Sequence, residues 1–380
     1  MNAKLLFIIN NLNFFLSHRL PVALAAKQNG YEVHIAAPLG DSLRDGKDKI
    51  IKEGFCFHPV RIYRSSTNPL KEIISFCDLY KLQKNLKPDI VHLVTIKPVL
   101  YGGISARLAK TKGVVAAVPG LGSAFRKNGF KGWILNKIVS LLYKAALRNK
   151  NTIVIFQNND DKKIITELCK LAEEQTRLIP GSGVNLKEYD FLPEPEGVPV
   201  ITMASRLLKD KGVPEFIEAA GILKSKGIAA EFWLVGDIDP DNPTSVKESE
   251  LVEWKKEGTV KILGFRSDVA ALFSKSNIVV FPSSYREGLP KVLVEAASCG
   301  RAVITTDSPG CRDAIIPNKT GLLVPVKNAS ATADAAEYLI KNPEVRKTFG
   351  KAGRAFAEQT FNIEDIVNQH LNIYYKIYSC

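Results

Sequence analysis

Long apolar runs are missing from this 380-residue chain: none approaches the roughly 20 residues that a bilayer-spanning helix needs. The protein is therefore expected to be soluble or attached to a membrane surface. No two of its six cysteines (Cys56, Cys77, Cys169, Cys299, Cys311, Cys380) form a CxxC pair or a zinc-motif spacing. That excludes a disulfide scaffold and a recognisable metal motif, and leaves free thiols in a reducing compartment. The N-terminal apolar run resembles a weak signal peptide but is expected to be a strand instead. Asn10, Asn11 and Asn13 interrupt the first apolar run early, and no small-residue cleavage site follows, so Leu5 to Ile9 reads as a buried first strand. There is no repeat of 20–50 residues and no low-complexity segment. Finally, no acidic residue occurs between Asp89 and Asp160.

What is present is a chain that is 46% hydrophobic, long enough for two domains with real cores. The net charge of +13 is unevenly placed. Residues 1–190 hold 29 Lys/Arg against 15 Asp/Glu, a net +14, so residues 191–380 net −1. The N-terminal half alternates short apolar runs with longer amphipathic ones. Strands are predicted over residues 4–9, 32–37, 56–60, 90–93, 114–118 and 152–156, and helices over 15–29, 70–85, 99–109, 133–148 and 159–169. This rhythm implies a parallel sheet covered on both faces, wound right-handedly into a Rossmann-like domain. Residues 190–199, rich in proline and acid, read as a linker. The rhythm then restarts, with strands over 198–204, 230–235, 260–263, 278–281 and 302–305 and helices over 213–225, 269–274, 290–299 and 330–341. An α/β architecture of two doubly wound domains facing across a cleft follows, divided at 1–190 and 191–361. The helical segment 362–380 is expected to pack back on the first domain.

The most informative stretch runs from Phe281 to Gly300. A strand ends in a loop and a helix follows, with Pro290 suited to the first helical turn and Gly300 to the position just past its end. Glu287 lies in the loop and Glu295 inside the helix. The N–H groups near Gly288 and Leu289 crown the helix N-terminus, a natural seat for a diphosphate that Gly288 lets approach closely. A second strand-to-helix loop, Ala204 to Gly212, puts Arg206 and Lys211 at the same sheet edge. Arg offers phosphate a planar fork and Lys a point charge. When a sugar leaves a nucleotide diphosphate, negative charge builds on the phosphates, and fixed cations with helix amides stabilise it without a metal. Alone, such Glu, Arg and Lys residues are usually solvated surface charges. Asp237-Ile-Asp239 has the DxD form that elsewhere holds a metal–nucleotide complex, but Pro240 and Pro243 favour a turn with solvated carboxylates.

The Arg206…Lys211 loop with Glu287-x7-Glu295 resembles the family 4 glycosyltransferases of the GT-B fold, over nearly the whole chain and most specifically in residues 200–325. The resemblance implies that Arg206 and Lys211 hold the diphosphate, that Glu287 contacts the donor sugar and supports the transition state, and that Glu295 binds the ribose hydroxyls. Gly288, Leu289, Pro290 and Val292 then line the donor site. No metal and no cofactor are implied. The run Tyr285-Arg-Glu-Gly-Leu-Pro-Lys-Val-Leu-Val-Glu295, followed by Asp307-Ser-Pro-Gly-Cys-Arg-Asp313, is similar to the subgroup building bacterial surface polysaccharides on polyprenyl-diphosphate carriers, which often transfers N-acetylhexosamines. A UDP-linked donor, a polyprenyl-diphosphate-linked glycan acceptor and a place on the inner face of the cell membrane follow as expectations.

The N-terminal half departs from many relatives. The loop after the first strand lacks their glycine pair, so His18 and Arg19 are candidates for the acceptor, with a helix-surface histidine as the alternative for His18. The segment Val118 to Phe125 holds Gly120 and Gly122 where some relatives carry a histidine that contacts the transferred sugar. These glycines allow backbone contact with a substrate or form a simple turn. They are no dinucleotide fingerprint, since Phe125 stands where GxGxxG needs glycine. His92 reads as structural. The acid-free stretch carries 11 Lys/Arg, and its helix puts Lys137, Ser140, Lys144 and Arg148 on one face, with Phe125, Phe130 and Trp133 just before or at its start. This reads as a segment for an anionic membrane surface or as an ordinary helix packed on the sheet.

A retaining transferase acting at the front side of the sugar is the leading expectation. A nucleotide-sugar epimerase of similar architecture is an alternative, but no convincing acid–base pair stands out. A non-enzymatic basic membrane- or nucleic-acid-binding protein is the other. No nucleic-acid module is recognisable, so nucleic acid is not an expected partner.

Overall fold

A computed structural model of the chain describes residues 3–38, 44–64, 66, 68–121 and 129–379. The chain divides into two compact units: Met1–Ser182 with Glu364–Cys380, and Gly183–Ile363. In the first unit the order is β1 (Lys4–Ile9), α1 (Leu12–His18), α2 (Leu20–Gln28), β2 (Glu32–Ala37), α3 (Arg44–Lys52), β3 (Cys56–Pro59), α4 (Pro69–Leu86), β4 (Ile90–Val94), a π-helical turn (Pro98–Gly102) running into α5 (Gly103–Leu108), β5 (Gly113–Val118), α6 (Gly129–Ala146), β6 (Thr152–Phe156), α7 (Asn159–Cys169) and β7 (Thr176–Leu178). The second holds β8 (Val200–Ala204), a 3-10 turn (Lys209–Lys211), α8 (Val213–Ser225), β9 (Glu231–Val235), α9 (Glu248–Glu257), β10 (Lys261–Gly264), α10 (Val269–Ser274), β11 (Ile278–Phe281), α11 (Lys291–Ser298), β12 (Ala302–Thr306), β13 (Gly321–Val324), α12 (Ala329–Lys341) and α13 (Pro343–Thr360). Helix α14 (Ile363–Ser379) then returns to the first unit.

All pairings within both sheets are parallel. The first sheet runs β3-β2-β1-β4-β5-β6-β7 and the second β10-β9-β8-β11-β12-β13. Each therefore reverses its strand order once, between β1 and β4 and between β8 and β11. Ligands of such sheets bind beyond the strand carboxyl ends at that reversal. Alternate residues of β1 serve two cores. Leu5, Phe7 and Ile9 join Ile366, Ile373, Tyr374 and Ile377 of α14 on one face, while Leu6 and Ile8 join Leu79, Tyr143 and Ile165 on the other. Each fully buried large apolar side chain contributes roughly 1.5–3 kcal/mol.

Local chemistry sets the ends of several helices. Asn11, Asn68, Asn158 and Asn328 are N-caps whose side chains accept from Phe14, Leu70, Asp161 and Ala331 N–H groups. The single helix expected over 15–29 is two, because Pro21 has no N–H to donate and its ring opposes a continuous helix; the break falls at Arg19. Segments α3, α9, β7 and β13 were not expected. The two helices are strongly charged and the two strands are only three and four residues long.

Residues 190–199 are not a free linker. The Glu194 carboxylate accepts from Arg346 Nε at 2.9 Å in a buried ion pair, and Arg301 donates to Leu192 O. Tyr189 belongs to the second unit's core, which moves the division from 190/191 to 182/183. Both passages into this unit run paired: Val184 N–H donates to Phe361 O and Ile363 N–H to Val184 O. Among the described residues, no helix is long and apolar enough to cross a membrane.

Candidate active site

The loops after β8 and β11 leave the second sheet on either side of its strand reversal. The β8 loop passes through the 3-10 turn and ends at Gly212, whose φ of +86° is left-handed and whose position leaves no room for a Cβ against Pro282 O, 2.3 Å away. The two loops are thereby pressed together. The Asp210 carbonyl fastens them by accepting from the Ser284 and Tyr285 N–H groups at 2.9 and 3.1 Å. Behind the β11 loop, Gly310 lies at φ +81°, with its missing Cβ 2.3 Å from Gly288 O and 2.7 Å from Glu287 O. Thr306 Oγ1 donates to Ser283 O from the neighbouring strand.

This packing brings Lys211 and Glu287 together across 76 residues of sequence. Lys211 Nζ stands 2.5 Å from Glu287 Oε1, both side chains mostly buried. Ser283 Oγ lies 3.1 Å from the same oxygen. The ammonium also sits over the rings of Phe281 and Tyr285, 5.4 and 5.6 Å from their centroids. Gly288 and Leu289 are buried just before Pro290, which is the N-cap of α11 rather than its first helical residue. Gly300 follows the helix at φ +71°, as the spacing predicts. Among the described residues, Gly288 is not one of the left-handed glycines, so a need for that conformation is not what calls for glycine there. Val292 is half-buried against the core.

Arg206 donates to Asp239 Oδ2 at 2.5 Å. The reading of Asp237-Ile-Asp239 as a turn with solvated carboxylates is corrected by this contact: Asp237 is exposed, but Asp239 is an ion-pair partner, with its side chain 14% exposed. The cause is a third loop at the same edge, after β9, where Gly236 at φ +135° comes so close to Ser205 O that a Cβ would not fit. Glu295 sits inside α11, where burial raises its pKa against the opposing pull of Lys291, 3.2 Å away, and a hydrogen bond from Tyr189. Burial and Glu295 together raise the Tyr189 phenol in turn.

In the first unit the candidates His18 and Arg19 differ in exposure. His18 is half-buried, stacked on Phe14 with centroids 4.0 Å apart, and its Nδ1 is 2.7 Å from Ser17 Oγ. Arg19 is only 1% exposed, with burial pulling its pKa down to about 10. It lies among His92, His370 and Tyr374 under α14, where a substrate arriving from solvent would not meet it. His92, which the sequence marks as structural, has its Nδ1 2.5 Å from Tyr374 Oη. Gly120 takes a left-handed φ of +104° after β5, as a glycine loop requires, while Gly122, Phe125 and the side chain of Phe130 fall outside the described residues. Thr95 escaped notice in the sequence. It directly follows β4 at the strand reversal with φ +76°, costly for a β-branched residue, and its buried Oγ1 has no hydrogen-bond partner among the described residues. No composition signal marks such a backbone.

Helix α6 carries Trp133, Ile134, Ile138 and Leu141 exposed to solvent, between 39% and 60% of their surface, beside exposed Lys137, Lys144 and Arg148. Lys137 Nζ lies over the Trp133 ring at 4.7 Å.

The family model for glycosyl transferases group 1 matches residues 186–356, and that for glycosyl transferase 4-like matches residues 4–158. Over 96% of its length the chain is 31% identical to 98% of a Campylobacter jejuni protein, N,N'-diacetylbacillosaminyl-diphospho-undecaprenol alpha-1,3-N-acetylgalactosaminyltransferase. The chain belongs to the family 4 glycosyltransferases. This glycosyltransferase is also 27% identical, over 80% of both chains, to the Escherichia coli UDP-Gal:alpha-D-GlcNAc-diphosphoundecaprenol alpha-1,3-galactosyltransferase. In fold it is similar to a glycosyltransferase from Rickettsia africae, with a TM-score of 0.77 and 22% identity over 99% of this chain and 98% of that one. The enzyme has the GT-B fold of two Rossmann-like units. Neither an epimerase nor a non-enzymatic basic protein finds support among these relatives.

Proposed function

We propose that this enzyme transfers an N-acetylhexosamine or related sugar, with retention of configuration, from a UDP-linked donor to a polyprenyl-diphosphate-linked glycan. The observation that carries the reading is the Lys211–Glu287 pair at the β8/β11 reversal, with Arg206 at the same sheet edge. Arg206 and Lys211 neutralise the donor diphosphate, helped by the N-terminus of α11 near Gly288 and Leu289. Glu287 contacts the sugar and stabilises its positive charge in the transition state. Glu295 takes the ribose hydroxyls, and Pro290 and Val292 complete the donor wall. The sugar–phosphate bond breaks as the acceptor oxygen bonds to the same carbon from the same face. The acceptor proton passes to the leaving phosphate oxygen. Two fixed cations and helix amides supply the electrostatic stabilisation, so no metal is required in this step.

The relatives' names support the substrate classes: one acts on a diphospho-undecaprenol glycan and the other uses UDP-Gal. Residues Gly183–Ile363 thus form the donor unit, and the first unit, through His18, Gly120 and Gly122, takes the acceptor. The apolar and basic face of α6 rests on the anionic inner surface of the cell membrane, each cation adding about 1 kcal/mol. Nucleotide release in EDTA, across a panel of nucleotide sugars with and without polyprenyl-diphosphate glycans, tests the whole. Release from one UDP-sugar that depends on the lipid acceptor, with an α-linked product, is expected. No release and no donor binding would overturn the proposal. Ile138→Glu with Leu141→Glu is expected to free the enzyme from anionic vesicles; undiminished binding would remove α6 from the membrane role.

A further inference from the structure

At the opposite edge of the first sheet, β2 and β3 pair in parallel with His34 across from Cys56 and Ala36 across from His58. Side chains two apart on a strand share a face. Glu32 and His34 of β2 therefore point to the same side as Cys56 and His58 of β3. One ligand atom from each of Glu32, His34 and Cys56 lies within 4.8 Å of the others, the one such group of three among the described residues. His34 Nε2 is 3.1 Å from Glu32 Oε1, and its other ring nitrogen, Nδ1, is 3.0 Å from His58 Nε2.

We infer that Glu32, His34 and Cys56 form a zinc-binding site, with His58 as the hydrogen-bonded support of His34. A tetrahedral zinc ion with N, O and S ligands sets its ligand atoms about 3.3–3.8 Å apart, so the group closes on an ion with movements of about 1 Å. The donor set selects the metal. A thiolate and an imidazole favour zinc and disfavour magnesium or calcium, which take oxygen ligands. The Glu32 carboxylate and Cys56 thiolate offset the ion's two positive charges. His34 presents Nε2 to the metal while Nδ1–H donates to His58 Nε2, the outer-shell arrangement that fixes a ligating ring. Water takes the fourth position, since Glu32 and Cys56 are exposed. Glu32 and Cys56 each open their strand, so the site lies at the amino ends of β2 and β3. Ligands of the fold's chemistry collect at the carboxyl ends. The ion is thus structural: it ties the edge strand β3 to β2 and caps a thiol that would otherwise be open to oxidation. The inference is independent of the donor site.

Zinc titration of the reduced full-length protein, first stripped with a chelator, tests it, with cobalt(II) as the spectroscopic probe. One equivalent of zinc is expected to bind, to raise the thermal midpoint, and to leave nucleotide release unchanged. Cobalt(II) should show a sulfur-to-metal charge-transfer band. Cys56→Ser should abolish that band and weaken zinc binding at least tenfold. Glu32→Gln, at an exposed position, should weaken zinc binding while keeping the band, and it carries the test should Cys56→Ser fold poorly. Less than stoichiometric zinc in the wild type, zinc affinity unchanged in Glu32→Gln, or a thiolate band that persists in Cys56→Ser would overturn the site.

Discussion

The two units repeat one strand order and differ in where they keep their charge. In the second, beside β8 and β11, Lys211, Glu287, Arg206 and Asp239 stand in loops at the sheet edge, paired with each other and within reach of solvent. In the first, beside β1 and β4, Arg19 and His92 are sealed beneath α14 against its own buried His370 and Tyr374. A charge in a loop can exchange a carboxylate partner for a phosphate at little cost. A buried one is desolvated and becomes part of the architecture. The same topology therefore yields a charged edge of paired loops in one unit and an internal polar core in the other.

The largest effect that would sharpen this contrast is at Lys211. On the proposed reading Lys211→Ala removes a cation from the leaving diphosphate and breaks the ion pair with Glu287, so turnover should fall about 10²–10³-fold. Near-normal nucleotide release by that variant would show that the charged edge is not the chemical one. Gly310→Ala comes next. A Cβ there meets the carbonyl oxygens of Gly288 and Glu287 in a left-handed backbone, so donor affinity should drop about tenfold or more with the rest of the fold retained. Calorimetric donor titration with far-ultraviolet circular dichroism checks both halves of that statement.

Acid should separate the units. Burial holds His370 at about 3 and His92 well below 6.5, whereas both titrate near 6.5 in the unfolded chain. Their neutral forms therefore stabilise the first unit fully above about pH 6.5. That contribution is lost as pH falls, by at most about 1.4 kcal/mol per pH unit for each ring. Glu295 acts with the opposite sign: burial raises its pKa, so it opposes folding of the second unit more as pH rises above about 4.3. Peptide-resolved hydrogen exchange between pH 7 and 4 should show the first unit opening first; earlier opening of the second would break the comparison. The smallest effect is at Asp239. Its partner Arg206 is half-exposed, so Asp239→Asn should tighten donor binding by no more than a few-fold. A large loss would make Asp239 a positioning residue for the arginine instead.

Most of the architecture was legible in the sequence because parallel strands buried on both faces read as continuous apolar runs. Strands β1, β2, β6 and β11 have the very bounds that the pattern suggests. What escaped had little apolar signal: the charged α3 and α9, and the short β7 and β13. Pro21 marked a helix break that the run of apolar residues around it concealed. Within the candidate donor site, Glu287, Lys211, Arg206 and Glu295 were legible from their loop and helix contexts. Asp239 was judged from its own turn and therefore missed, since its partner lies 33 residues away. Arg19 was judged from its place in a polar loop, and nothing near it foretells that α14, more than 340 residues later, covers it.

The sequence by itself determined a two-unit α/β architecture and where its charged loops lie, because strand periodicity and loop chemistry are local properties, and its motifs carried the resemblance to the glycosyltransferase family. Only the tertiary structure decided which side chains meet. Lys211 reaches Glu287 because two glycines let three loops crowd together. Cys56, unremarkable by cysteine spacing, stands beside Glu32 and His34 because β2 and β3 pair in one particular register. Contacts between strands depend on register and crossover, and those are settled by how whole units pack rather than by any short stretch of residues.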